Sequence, residues 1–405
     1  MSKSVINRLL FKKTWEAFFI EKERFHRLTS KERKLLKEII ETKSYKNITR
    51  SILKDEYEFS LPTKKIINKL KVERKRIVYS YSLQEQLWLK VLARELRIYN
   101  NVLSCYCYSA GSKGGSKMAF QTIISDRNLK KKYGYKIDIK NYFNDIDPKL
   151  MQEILVKNID DTPLLSLFSK LLDNPYVVYK EEIIKEKKGI MAGTPLSSFL
   201  ASLYLKEMDE YFYQNKINYS RYADDIIVFT YQENLNEIIS IINDYLKKAM
   251  LELNEEKIKI IEPLGAFDYL GFNYNKGKID LSKTTIIKTK NKIRRAARSL
   301  NRAKAKKDYS TDRVLSLMIT KFNRKFFLIH QDFELNWMLW YFPLINTTES
   351  LKIIDEHLQN HLRYLYNGSF KRKNYKEIPY IKLKTLNYRT LVNEYYKFKK
   401  KGFPK

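Results

Sequence analysis

Cysteine and histidine are scarce in this 405-residue chain, which holds two of the first and four of the second. Cys105 and Cys107 stand two residues apart on what reads as one extended segment, too close for a normal disulfide with each other. The histidines (His26, His330, His357 and His361) are scattered, and no Cys/His set has the spacing of a zinc site. His357 and His361 sit four apart at helical spacing, but neither a carboxylate nor a third histidine joins them in a recognisable motif. A surface or core role is expected for them. Long apolar runs are absent too. Met1 to Lys13 contains no long apolar h-region, and no window approaches the roughly 18 apolar residues of a membrane span. These absences predict a soluble protein of the reducing cytoplasm with no membrane partner. Acidic charge is the last deficit: 46 Asp and Glu face 78 Lys and Arg, a net charge of +32. So large an excess points to a polyanion, either nucleic acid or an acidic membrane. Nucleic acid is favoured, because the charge is spread along the chain and 30 Tyr with 21 Phe offer surfaces for base stacking. A low-GC coding sequence also enriches Lys, Ile, Asn and Tyr, and accounts for part of the bias.

With 44% hydrophobic residues the chain is long and apolar enough to fold around a real core. Residues 1–70 read as a helical, charged extension: Thr29 and Glu32 form a capping box, and Leu35, Leu36, Ile39 and Ile40 recur at helical spacing. Residues 71–280 change character. Arg74, Lys75 and Arg76 precede the β-rich run Ile77-Val78-Tyr79. A helix follows with Leu87, Val91 and Leu92 on one face, then a Gly/Ser/Lys loop from Ser109 to Lys117 and alternating strands and helices. Residues 281–330 are helical and strongly basic, and 331–405 form a C-terminal helical extension. Without an internal repeat or a low-complexity linker, these pieces are expected to make one continuous body.

The sharpest local signal is Tyr222-Ala223-Asp224-Asp225, flanked by Ile217 and Tyr219 before it and Ile226 to Phe229 after it. That pattern predicts a strand, a tight turn and a strand. Two adjacent acids at the tip of an apolar hairpin call for a cation. A second acid, Asp138, lies between Ile137 and Ile139 on another predicted strand and makes the same demand. Asp is also a common turn residue, so the pair alone is a weak signal. The arrangement of three is stronger.

These segments resemble the reverse transcriptase family. Asp138 to Ile146 resembles its motif A, Lys188 to Ser198 motif B, Tyr222 to Asp225 motif C, Leu253 to Lys257 motif D and Phe267 to Phe272 motif E, in the family's order. The resemblance implies an α+β right-hand polymerase with fingers and palm in 71–280, a thumb in 281–330, and synthesis of DNA from dNTPs on an RNA template. Asp138, Asp224 and Asp225, with Ile139, would hold two Mg²⁺ ions (Mn²⁺ as the alternative), and Lys257 would serve the pyrophosphate leaving group, unless it is simply a solvated lysine. Phe143 would lie beneath the incoming sugar and exclude a 2′-hydroxyl, or would be plain core. Gly193, Thr194 and Pro195 would bring backbone to the nucleotide, with Pro195 opening a helix that runs to about Gln214. Lys75 and Arg76 would hold the triphosphate, or form a basic strand face. Tyr269, Leu270 and Gly271 would form the primer grip.

The match departs from the pattern in two places. Met191, Ala192 and Gly193 stand where motif B usually reads Pro-Gln-Gly, and Cys105-Tyr106-Cys107-Tyr108-Ser109 replaces the common Ser-Tyr-Gly-Phe-Arg of the fingers. Nothing resembles an RNase H acidic set, an integrase or a Cys/His homing endonuclease. What remains resembles the compact bacterial reverse transcriptases of the "unknown group", many of which serve in anti-phage defence. Expected partners are then a dedicated non-coding RNA template, the DNA product, and a partner protein or a second copy of the chain. Non-templated or protein-primed synthesis stays open, as does an inactive RNA-binding module. Tyr395-Tyr396 could supply a priming hydroxyl, against the plainer reading of packing. From Lys283 to Lys307 there are eleven Lys or Arg and no acid. Ile293, Ala296, Ala297 and Leu300 give that helix an apolar face, while Lys290, Arg294, Arg295, Arg298 and Arg302 would track phosphates. Trp337, Trp340, Tyr341, Phe342 and Pro343 form an aromatic patch best read as core, with RNA stacking as the alternative.

Overall fold

The computed structural model describes residues 4–24, 27–68, 75–109, 114–327, 337–371 and 373–401. His26, Arg74, His330 and residues 110–113 of the Gly/Ser/Lys loop lie outside them. The architecture is α+β, as expected. The chain divides into two compact units, Met1–Pro263 and Leu264–Lys405. The division falls ahead of the 280/281 boundary expected from sequence, because the strands that follow Pro263 pair among themselves and pack with the C-terminal helices.

The first unit begins with helices α1 (Lys12–Arg24), α2 (Ser30–Thr42) and α3 (Tyr45–Leu53). The capping box of α2 forms as the sequence predicts: the Glu32 backbone N–H donates to Thr29 Oγ1, and the Thr29 N–H donates to the Glu32 carboxylate. Helix is not continuous to residue 70. Strand β1 (Thr63–Asn68) pairs antiparallel with β2 (Lys75–Ser80) along its whole length. Helix α4 (Leu83–Glu95) then buries Leu87, Val91 and Leu92, and α5 (Gly115–Ile124) leads into strand β3 (Tyr133–Asp138). Next come α6 (Tyr142–Asp145), α7 (Pro148–Asn158), α8 (Thr162–Asp173) and the strands β4 (Tyr176–Tyr179) and β5 (Glu182–Lys185). The unit closes with α9 (Ser197–Tyr204), α10 (Lys206–Gln214), β6 (Asn218–Tyr222), β7 (Asp225–Thr230), α11 (Leu235–Lys248) and β8 (Lys259–Ile261). Two four-stranded sheets result, ordered β2-β1-β4-β5 and β6-β7-β3-β8. The second sheet is antiparallel throughout, and one core of aliphatic and aromatic side chains lies beneath both sheets and the helices.

Two local expectations change. Cys105 and Cys107 sit in a turn with a single bridge to Arg221 rather than on a strand; Cys107 is buried and Cys105 exposed. The helix expected from Pro195 to Gln214 begins only at Ser197 and breaks at Leu205. The break has a tertiary cause. The carbonyls of Ala201 and Ser202, which would continue the helix ladder, accept from the Arg221 guanidinium at 3.3 and 2.7 Å.

The second unit holds a three-stranded meander, β9 (Phe267–Tyr269), β10 (Phe272–Asn275) and β11 (Lys278–Leu281). Helices α12 (Lys283–Lys307), α13 (Thr311–Phe327), α14 (Trp337–Tyr341), α15 (Glu349–Asn367), α16 (Asn374–Glu377), α17 (Tyr380–Thr385) and α18 (Leu391–Lys401) follow. Of the aromatic patch Phe342 is fully buried while Trp337, Trp340, Tyr341 and Pro343 are half-buried, and Trp337 packs against Phe326, Tyr341 and Phe342. His357 and His361 pack ring on ring on α15, with His361 buried.

Candidate active site

Three carboxylates come together at one end of the antiparallel sheet. Asp138 ends β3 and is in register with Asp225, the first residue of β7. The hairpin between β6 and β7 turns at Ala223, whose φ of 56° is left-handed, and this lifts Asp224 to the tip beside them. The Ile139 N–H donates to the Asp224 carbonyl at 3.2 Å, and the Asn254 N–H donates to the Asp138 carbonyl at 2.9 Å. The backbone therefore ties the predicted motifs A, C and D into one edge.

Electrostatics mark the place as short of positive charge. Burial, reinforced by the charges of Asp225 and Asp138, raises the Asp224 pKa from 3.8 to about 6. Lys257, in the 3₁₀ turn Glu255–Lys257, places its Nζ 2.5 Å from Asp138 Oδ2. The lysine thus lies at the site, paired with a candidate metal ligand. Among the described residues, no three His, Cys, Asp or Glu are already drawn together as a metal-holding group. The donor chemistry still suits a hard divalent cation, because it is all oxygen and repels itself without one.

Sequence reasoning missed the part that holds this hairpin in place. Arg221, fully buried one residue before Tyr222, donates from Nε to Asp209 Oδ1 at 2.8 Å, and Tyr219 Oη donates to the same oxygen at 2.7 Å. The guanidinium also reaches the Ala223 carbonyl at 3.4 Å, besides the two α9 carbonyls. One side chain therefore joins the carboxylate turn to α9 and α10. The available signal was an arginine inside the first strand of the hairpin, a residue almost never buried unless paired.

Motifs A and B also meet. The Ile190 N–H donates to the Phe143 carbonyl at 2.9 Å, and the Ala192 N–H donates to Asn144 Oδ1 at 3.2 Å. Gly189 makes the approach feasible: a Cβ there would lie 2.5 Å from the Phe143 carbonyl oxygen, at a φ of +53°. Phe143 is half-buried, edge-on to Tyr142. Gly193, at φ +95°, approaches Val78 and Tyr79 of β2, and Ala192 accepts from the Tyr79 N–H at 2.8 Å. Thr194 Oγ1 donates to the Met191 carbonyl, and Pro195 stands in the turn ahead of α9 rather than in its first turn. Arg76 is exposed on β2; Lys75 opens that strand, and its side chain lies outside what the structure describes.

In the second unit Tyr269 is buried, and Leu270 and Gly271 form the β9–β10 turn with φ of 47° and 94°. Thr285 Oγ1 and the Ser282 N–H both donate to the Gly271 carbonyl at 2.9 Å, fixing that turn to the start of α12. On α12, Arg294, Arg295, Arg298 and Arg302 are exposed and Lys290 half-buried, while Ile293, Ala296 and Ala297 are buried.

With this geometry in hand, residues 88–274 match the family described as reverse transcriptase (RNA-dependent DNA polymerase). That segment belongs to the reverse transcriptases. The right-hand polymerase class expected for the chain stands with it. The Escherichia coli retron Ec83 reverse transcriptase is 28% identical over 135 residues, 32% of this chain and 41% of that one. The group II intron-encoded protein LtrA of Lactococcus lactis subsp. cremoris is 34% identical over 124 residues, 31% of this chain and 20% of that one. The matches span less than half the length of these relatives. Among solved structures, apo telomerase from Candida tropicalis aligns over 80% of this chain and 58% of that one, with 13% identity and a TM-score of 0.47. Telomerase from Candida albicans, with the TWJ fragment of telomeric RNA, covers 82% of this chain and 64% of that one at 13% identity and a TM-score of 0.44. No helix among the described residues is long and apolar enough to cross a membrane.

Proposed function

We propose that this reverse transcriptase domain is an active RNA-directed DNA polymerase that extends a primer 3′-hydroxyl with dNTPs. The observation that carries the reading is the meeting of Asp138, Asp224 and Asp225 at one sheet edge, with Asp224 raised to about 6 by burial and its two neighbours. Such a cluster is strained alone and relieved by divalent cations. Asp138, Asp224, Asp225 and the main chain of Ile139 would hold two Mg²⁺, with Mn²⁺ as a substitute. Bound there, the ions supply the positive charge that in-line phosphoryl transfer requires.

The chain's own residues do the rest. Arg221 holds the carboxylate turn against α9 and α10. Lys257, already beside Asp138, is the candidate to stabilise a leaving pyrophosphate or give it a proton. Phe143 is the candidate gate against a 2′-hydroxyl, and Lys75 and Arg76 the candidate triphosphate contacts. Tyr269 to Gly271 form the candidate primer grip, and α12 the thumb helix whose exposed arginines follow duplex phosphates.

The altered motif B and the likeness to a retron enzyme support a compact bacterial enzyme that copies a dedicated non-coding RNA in the cytoplasm, in anti-phage defence. The test is extension of a primed RNA by the purified protein with Mg²⁺ and labelled dNTPs, beside the Asp224→Asn, Asp225→Asn double variant. Template-length DNA, absent from the variant, is the expected result. Products that match neither the supplied nor the co-purifying RNA would replace this reading with non-templated synthesis.

A further inference from the structure

A cavity of about 360 Å³ lies in the first unit, away from the carboxylates. Its wall brings together Lys22 of α1, Arg27 ahead of α2, Lys90 and Arg94 of α4, Arg97 just beyond α4, and Pro195 of the motif B turn. No acid lines it among the described residues. Lys90, Arg94 and Arg97 recur at the spacing of one helix face, where like charges repel.

Carboxylates that do not line the cavity are shared among Lys22, Lys90, Arg94 and Arg97. Glu21 is shared by three of them: Arg94 at 2.9 Å, Arg97 at 3.2 Å and Lys22 at 3.5 Å. Glu32 takes Lys90 at 2.6 Å, and Glu95 takes Arg94 at 2.5 Å. One carboxylate facing three cations leaves positive charge over. The crowding registers on Lys22, whose pKa is lowered by burial first, with Arg27 and Arg97 adding to the effect. A bare stabilising network would pair its charges more evenly than one glutamate among three cations, beside a space the size of a small ligand.

We propose that this cavity binds a phosphate group carried on a nucleotide-sized ligand, either one nucleotide of a single-stranded RNA or a free nucleotide. Guanidinium forks from Arg94 and Arg97 match phosphate oxygens in pairs, and Lys22 and Lys90 add point charges. Pro195 makes the motif B turn one wall, so occupancy and the position of that turn are linked. The proposal does not depend on polymerase activity, and binding alone tests it.

The experiment uses the full chain in EDTA and compares wild type, the Lys22→Gln/Arg97→Gln variant and Arg97→Lys. Fluorescence anisotropy follows a labelled short single-stranded RNA across a salt series, and calorimetry follows ATP. The double variant is expected to bind one probe about tenfold more weakly, and Arg97→Lys to fall between it and wild type, because lysine keeps the charge but loses the paired donors. If RNA is the affected probe, its salt slope should also fall by about 1. Weakened RNA binding assigns the site to a strand, and weakened ATP binding to a free nucleotide. Unchanged affinity for both probes, in a variant with the wild-type melting temperature, overturns the proposal. Should the double variant melt early, Arg97→Gln alone makes the same measurement, since that side chain is 55% exposed.

Discussion

Replacing Asp224 by Asn tests the electrostatic account of the carboxylate edge, and it should stabilise the protein while abolishing synthesis. The folded-state pKa is about 6 against an ordinary 3.8, so the folded chain binds more protons than the unfolded one between those values. Stability should therefore fall as pH rises through that window. At 1.36 kcal/mol per pKa unit, ionised Asp224 costs the fold about 3 kcal/mol at neutral pH. That figure is a ceiling, because the side chain keeps part of its surface in water and screening reduces it. At pH 4 the same relation leaves only about 0.5 kcal/mol. In EDTA at pH 7.5, Asp224→Asn should then raise the melting temperature by several degrees, at most about 10 °C for a unit of this size. At pH 4 the gain should nearly vanish. Mg²⁺ should stabilise the wild type more than the variant, because it relieves a repulsion the variant lacks. Thermal melts at the two pH values, with and without Mg²⁺, make the measurement. A variant that melts earlier than wild type at pH 7.5, or gains equally at both pH values, would refute the reasoning.

Arg221→Met leaves Asp209 buried without its cation, and should cost about 3–5 kcal/mol by denaturant titration; Arg221→Met paired with Asp209→Leu should recover much of that loss. Gly189→Ala drives a Cβ into the Phe143 carbonyl at a left-handed φ, and should lower the melting temperature by several degrees, equivalent to about 1–3 kcal/mol. Phe143→Ala should reduce discrimination against ribonucleotides about 10–100-fold, read from single-nucleotide incorporation with dNTP and rNTP. An unchanged ratio would make Phe143 a packing residue. Reversing charge at Arg294, Arg295 and Arg298 should flatten the salt dependence of duplex binding by about 2–3 in slope, and an unchanged slope would end the thumb assignment for α12.

Much of the candidate active site was legible because its signals are local. An acid between two isoleucines, two acids at a hairpin tip and a Thr-x-x-Glu capping box each declare their structure over a few residues. The motif order along the chain carried the family. Where the structure differs, the deciding contact was a pairing that residue type and periodicity do not encode. Strand β1 shows no clear alternation and forms because β2 supplies its partner. The long helix after Pro195 breaks at Leu205 because Arg221 takes the carbonyls that would continue it. Lys257 could be read from sequence either as a leaving-group residue or as a solvated lysine, and the fold sets it on Asp138.

The sequence by itself determined the candidate ligands: which acids, on which strands, in a strongly basic protein. Only the tertiary structure decided the charge states and the alignment. The Asp224 pKa depends on burial and on Asp138, eighty-odd residues away. The hairpin is held by Asp209 through a buried arginine, and cations from separate helices face one cavity together. Periodicity and turn preference are set by neighbours along the chain, whereas desolvation and charge pairing are set by neighbours in space.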